Sequence, residues 1–215
     1  MKSKYQKFLD HNLQYILSVI CIFMLLVSVV LYAFGITASI KFIPLAFAII
    51  ASLMLWQWDV NQKNKLISTV LVLSLGFIFA FIGDKTIGGY IYNPQFGYKL
   101  LGVSVAISIL WLMITLSAWQ IGSYGRLSLI NKFLLGGALV VIFDLVLEQM
   151  ATSVGLWNYP DVKPNIINYI TWFIGSQIIF YIYYKNSHHK QVQSIFIASI
   201  LPLLALFMWL MIILS

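Results

Sequence analysis

Apolar stretches long enough to cross a lipid bilayer follow one another along this chain, and they constrain its fold more than any motif does. Seven can be drawn: Leu13–Phe34, Phe42–Trp58, Leu66–Ile82, Leu100–Ile121, Phe133–Met150, Ile166–Tyr184 and Ser194–Leu214. A helix needs about 20 residues to span the hydrocarbon core. The runs are continuously apolar and do not alternate, which selects helices over the strands of a barrel. Of 215 residues, 61% are hydrophobic and only 9% charged, whereas a soluble domain is nearer about 25% charged. That much apolar surface needs lipid as its solvent. The expected class is all-α: a polytopic integral membrane helix bundle of about seven transmembrane helices, forming one domain over residues 1–215. No internal repeat, low-complexity tract or linker divides it.

Charge sets the orientation. Lys2, Lys4 and Lys7 precede the first apolar run as they would in a signal peptide, but no small-x-small cleavage site follows, so the run is expected to be retained as a helix. Alternate connections then carry unequal numbers of Lys and Arg. Nine fall on the side of the N-terminus (Lys2, Lys4, Lys7, Lys63, Lys65, Arg126, Lys132, Lys185, Lys190) and four on the other (Lys41, Lys85, Lys99, Lys163). This bias predicts a cytoplasmic N-terminus and an external C-terminus. It also accounts for the net charge of +7 without nucleic acid, for which no segment offers a water-exposed basic fold. The longest connections, Gly83–Lys99 and Ala151–Asn165, lie on the outer side and are rich in Gly, Tyr, Trp, Asn and Pro. Loops of such length in a compact bundle are often functional.

Against this background two of the six acidic residues stand inside the fifth span, in "FDLVLEQMATSVGLWNYP", residues 143–160. Asp144 and Glu148 are four apart and share a helix face near its outer end. A charge at such depth costs about 2.5–3.5 kcal/mol on insertion scales, so both must face the bundle interior. Two neighbouring carboxylates in a low dielectric do not both ionise cheaply, so one is expected to keep its proton, and a carboxyl protonated at neutral pH is a general acid. The plainer alternative is a polar knot between helices, with Lys99 as a partner. Three further groups gather on the same side. "GDKTIGGYIYN", residues 83–93, opens an expected loop with Asp84 and brings Tyr90 and Tyr92. "NYITWF", residues 168–173, opens the sixth span, and Asn168, Trp172 and Ser176 fall on one face; Asn168 and Gln177 want partners, with a fifth-helix carboxylate the obvious one. Trp157, Tyr159 and Tyr169 add aromatic faces, which either sit at the membrane interface or stabilise a cation.

Other chemistry has no footing. Cys21 is the one cysteine, which excludes an intrachain disulfide and a cysteine-based metal site. His188 and His189 are adjacent and do not share a helix face, and beside Lys185 and Lys190 they read as a solvated basic turn; His11 is similar. No zinc-protease, phosphate-loop, dinucleotide or nucleophile-elbow motif occurs. Neither a metal nor a cofactor is expected.

In order, these motifs resemble the carotenoid biosynthesis protein family that contains the carotenoid 1,2-hydratases (bisanhydrobacterioruberin hydratase and the γ-carotene hydratase of bacteria). The residues that carry the resemblance lie between about 80 and 184. They are Gly88-Gly89-Tyr90-Ile91-Tyr92, then Phe96-Gly97-Tyr98-Lys99-Leu100-Leu101-Gly102-Val103, then Trp111. Asp144-Leu145-Val146-Leu147-Glu148 follows, with Ala151, Gly155, Leu156, Trp157 and Tyr159, and last Asn168, Trp172 and Phe173. The chain departs from the family pattern at four places. Asp84 is the nearest acid where the family has a glutamate before the Gly-rich loop. Gln149 replaces a proline, Tyr159 a tryptophan, and Ser104 the proline after Val103.

The resemblance implies an integral membrane enzyme of a bacterial or archaeal cytoplasmic membrane that hydrates the terminal C1=C2 bond of an acyclic carotenoid without a cofactor. In that reading Asp144 donates the proton, Glu148 is its partner or the water-activating base, and Asp84 assists. Tyr90, Tyr92, Trp111, Trp157, Tyr159, Asn168 and Trp172 bind the substrate. The partners implied are a carotenoid or other polyisoprenoid and lipid, with other carotenoid enzymes as candidates. A carotenoid end-group cyclase uses the same protonation and is the alternative within the class. Outside it stand a non-catalytic lipid-binding protein and a small transporter, although a transporter would more often show an internal repeat. The seven-span topology predicts that a reporter active only outside the cytoplasm works when fused after Ser215; activity of a cytoplasm-dependent reporter there would overturn it.

Overall fold

The computed structural model describes residues 42–86, 91–94, 96–124, 127–159, 166–186 and 194–214, with scattered positions between 16 and 35. Most of the first expected span, Leu13–Phe34, lies outside the described residues. The rest form a helical bundle with two small pairs of strands. In chain order the elements are α1 (Ile43–Gln57), α2 (Gln62–Thr86), β1 (Ile91–Tyr92), β2 (Lys99–Leu100), β3 (Val103–Ser104), α3 (Val105–Tyr124), α4 (Leu129–Ser153), β4 (Trp157–Asn158), α5 (Ile166–Asn186) and α6 (Ile195–Leu214).

Helices α2 to α6 are each long and apolar enough to cross a membrane. Helix α1, with Pro44 in its first turn, is not: its 15 residues rise about 22 Å, short of the roughly 30 Å hydrocarbon core. The expected second span is therefore a helix, but a short one. Helix α2 runs past its expected end at Ile82, through Gly83 and Asp84 to Thr86. Gly83 is buried, and a helical glycine costs only about 1 kcal/mol, which packing offsets. Asp84 thus belongs to the last turn of α2 and does not open a loop as its sequence suggests.

Helix α3 is the axis of the molecule, with fifteen of its twenty residues buried. Helices α2, α3, α4 and α5 close a ring in that order, while α1 packs on α3 and α6 packs on α3 and α4. Glycines let the ring close. A Cβ on Gly76 of α2 would stand 2.7 Å from Trp111 Cβ, and one on Gly137 of α4 would stand 2.3 Å from Gln177 Nε2 of α5. Close approach of this kind is what packs helices where lipid removes the hydrophobic drive between them.

Helix α6 contains Pro202, which has no N–H and so leaves the carbonyl of Ala198 without its helical donor. Ser117 of α3 supplies one: its Oγ donates to Ala198 O at 3.1 Å and accepts from Leu201 N at 3.0 Å. Inside a membrane such a repair must come from a neighbouring helix. Ser117→Ala is expected to lower stability in detergent by about 1–3 kcal/mol. Adding Pro202→Ala should recover most of that loss, because the Ala198 carbonyl regains an N–H. Thermal unfolding of the single and double variants checks the coupling.

Candidate active site

The strand pairs sit together at the end of the bundle where α2 stops and α3 begins, and they form its cap. Helix α4 ends in a Schellman turn: Gly155 takes φ +70, Leu156 N donates to Ala151 O at 2.8 Å, and Gly155 N donates to Thr152 O at 3.3 Å. The turn sends the chain back over its own helix. There β4 pairs antiparallel with β1, Tyr92 opposite Trp157. Asn93 pins the join, its N–H on Leu156 O and its Nδ2 on Gly155 O, both at 2.8 Å. Strands β2 and β3 fold on Leu101 and Gly102, both at positive φ, as a tight hairpin requires. Lys99 Nζ donates to the Tyr92 carbonyl, and Ser104 Oγ donates to Phe96 O at 2.5 Å. Phe96 and Tyr92 then flank the Trp157 ring, each with its centroid 5.9 Å away. Lys99 and Ser104 therefore build the cap, and Lys99, a partner for the acids only in the plainer alternative, contacts a carbonyl.

The cap delivers two donors to one acid. Trp157 Nε1 donates to Glu148 Oε2 at 3.1 Å, and Tyr159 OH donates to the same oxygen. One turn along α4, Asp144 is wholly buried, and Asn168 Nδ2 of α5 donates to its Oδ2 at 2.9 Å. Among the described residues its other oxygen, Oδ1, has no hydrogen-bond partner. Both acids thus share the buried face that their spacing implies, and each is held by a different element. The expected face of α5 is also present, with Asn168, Trp172 and Ser176 all buried.

Below the acids lies an aromatic floor. Trp111 of α3 stacks on Trp172 of α5, with centroids 4.1 Å apart and planes 8° from parallel. Phe79 of α2 leans on Trp111 at 5.4 Å. Gly175 makes room for both rings, since a Cβ there would stand 2.9 Å from Phe79 and 3.1 Å from Trp111. Between floor and cap is a cavity with about 430 Å³ of atom-free space, its mouth included. Glu148 and Asn168 stand on one wall, Ala80 and Gly83 of α2 on the opposite one, and Tyr92 and Trp157 above. Asp144 does not line this space; it adjoins it through Glu148 and Asn168.

Of the residues singled out in the sequence, Asp144, Glu148, Tyr92, Trp111, Trp157, Tyr159, Asn168 and Trp172 come together here. Tyr90 and the side chain of Asp84 lie outside the described residues. Phe79, Ala80 and Thr171 also line the cavity and carried no mark in the sequence, being ordinary residues of a span. The available signal was indirect: Gly76 and Gly175 each leave room for a ring on a neighbouring helix. Among the described residues no three His, Cys, Asp or Glu side chains gather as a metal cluster would.

What the arrangement offers is a buried carboxyl pair beside an aromatic, largely apolar chamber inside an integral membrane bundle. No curated protein and no solved structure matches the chain. The profile of the family described as carotenoid biosynthesis protein matches residues 40–215, which takes in helices α1 to α6, the cap and both acids, and the chain belongs to that family.

Proposed function

We propose that the protein adds water across the terminal C1=C2 bond of an acyclic carotenoid end group by acid catalysis, without a cofactor. The observation that carries this reading is Glu148: a carboxyl on the wall of an aromatic-floored cavity, anchored through one oxygen by Trp157 and Tyr159 and backed by Asp144. An unactivated alkene accepts a proton only from a well-placed acid, and the pair holds one within reach of the chamber.

The step balances on this chain's own groups. A carboxyl proton moves to carbon 2, the π pair forms the C–H bond, and a tertiary cation remains at carbon 1. Water then bonds to carbon 1 through oxygen, and its surplus proton returns to the carboxylate. Because Glu148 lines the cavity and Asp144 does not, we assign the transfer to Glu148 and the role of proton partner to Asp144, which reverses the order suggested by the sequence. The indole N–H and phenol O–H on Oε2 are placed to hold the charge that appears when the proton leaves. The stacked faces of Trp111 and Trp172 offer the cation a surface that attracts it without bonding to it. Asn168 fixes Asp144 and reaches the wall where water would attack. Tyr90 and Asp84 remain candidates for the same end.

Two outcomes are expected. Expressed in a host that makes lycopene or γ-carotene, the protein should yield a product heavier than its substrate by one water, read by chromatography and mass spectrometry. An isomer of unchanged mass would instead identify an end-group cyclase, and no change in any carotenoid would remove the enzymatic reading. Glu148→Gln and Asp144→Asn should each lower turnover by about 10²–10⁴-fold while the protein stays folded, and full activity in both would sink the acid mechanism.

A further inference from the structure

We infer that the cavity is filled sideways from the lipid, through a mouth between α2 and α5 bounded by Phe79, Ala80 and Thr171, and that what passes is the open end of an acyclic polyisoprenoid whose remainder stays in the bilayer. The inference deepens the reading above and rests on it for the identity of the chain.

Burial locates the mouth. Of the side chains that line the cavity, only Phe79 on α2 and Thr171 on α5 are partly exposed, and the rest are buried. The seam between α3 and α4 is shut by Ile107 and Leu147, which are 5% and 2% exposed. Among the described residues the cap is shut by Tyr92, Phe96 and Trp157, at 4%, 1% and 2%. Helices α2 and α5 pack against each other, and the level where Phe79 lies against Gly175 forms the sill. One turn nearer the cap the facing residues are small: Ala80 and Gly83 on α2, Thr171 on α5.

The surroundings name the chemistry. Ile78 and Ile82 flank the mouth on α2, and Ile167, Ile170 and Ile174 flank it on α5; all five are between 45% and 54% exposed. Both helices are apolar enough to cross a membrane, so this surface faces acyl chains. Thr171 Oγ1 donates to Ile167 O of its own helix at 2.8 Å, which turns its polarity inward. Among the described residues the sill, the small facing residues and the flanking isoleucines offer an apolar chain no charged group to pass. The cavity leaves about 30 Å³ for the centres of water-sized bodies, room for the water of the reaction, so a polyene brings at most its terminus to the mouth and the whole molecule is not admitted. An end group admitted over Phe79 comes to rest above the Trp111–Trp172 stack and beside Glu148.

The test plugs the mouth. Ala80→Phe and Thr171→Phe are compared with the unaltered protein and with Ile142→Phe, a lipid-facing change on α4 at a residue 58% exposed. Each protein is placed in lipid nanodiscs and titrated with lycopene, and binding is read as quenching of tryptophan fluorescence. The mouth variants should weaken half-saturation by about tenfold or more, a difference of about 1.4 kcal/mol, and lower kcat/KM for hydration in step. Ile142→Phe should match the unaltered protein in both. Thermal unfolding separates a blocked mouth from a damaged fold; should phenylalanine at 80 prevent folding, Thr171→Leu carries the same test. Folded mouth variants that bind like the unaltered protein overturn the inference, and so does an unaltered protein that lycopene does not quench. Quenching that is lost in the mouth variants, with no hydrated product from any of the proteins, would keep the mouth and reject the hydration reading.

Discussion

Two carboxyl groups buried inside a bundle that lipid surrounds need partners from the protein itself, and the rest of the site follows from how the protein meets that constraint. Each buried polar group left without a partner costs several kcal/mol in hydrocarbon, about the loss of a hydrogen bond or more. Asp144 is met by Asn168 from the neighbouring helix, and Glu148 by Trp157 and Tyr159 from the chain that follows its own helix. The second solution requires the chain to reverse at once after α4, which is why Gly155 adopts a left-handed conformation and β4 pairs with β1. The cap is thus a consequence of the acids as much as a roof over them.

A second constraint is room. Large aromatic rings in a helical ring of this size fit only where a neighbouring helix gives up its side chain. Gly76 and Gly175 do so for Trp111 and Phe79, and Gly136 and Gly137 for Phe180 and Gln177. The floor of stacked indoles and the sill of the mouth share this origin, since Gly175 contacts both. Chemistry and access are therefore joined at one position of α5, a turn away from Trp172.

The far end of the bundle meets the same polar demand differently. Ser117 mends the helix at Pro202, and Thr115 Oγ1 shares a hydrogen bond with Tyr183 OH at 3.1 Å. Ser194 bonds Gln57 through its hydroxyl and Gln120 through its amide. These contacts tie α1, α5 and α6 to α3 and stand apart from the chamber beside Glu148. They make the central helix a rigid axis from which Trp111 is presented.

Much of this was legible before any coordinates. Runs of apolar residues determine a membrane bundle, because only a helix satisfies its own backbone in lipid. The four-residue spacing of Asp144 and Glu148 determines a shared buried face, and the spacing of Asn168, Trp172 and Ser176 determines another. The order of motifs from Tyr92 to Trp172 pointed to the carotenoid biosynthesis protein family, to which the chain belongs. Tertiary structure alone decided which faces meet. Nothing local says that Trp111 stacks on Trp172, that Lys99 serves a carbonyl and not an acid, or that Glu148 rather than Asp144 borders the cavity. Nor does it mark Phe79, Ala80 and Thr171 as the rim of a mouth, since an apolar residue facing lipid and one facing a ligand have the same reason to be apolar. Periodicity specifies the side of a helix on which a residue stands. The partner it finds there depends on how four helices close into a ring.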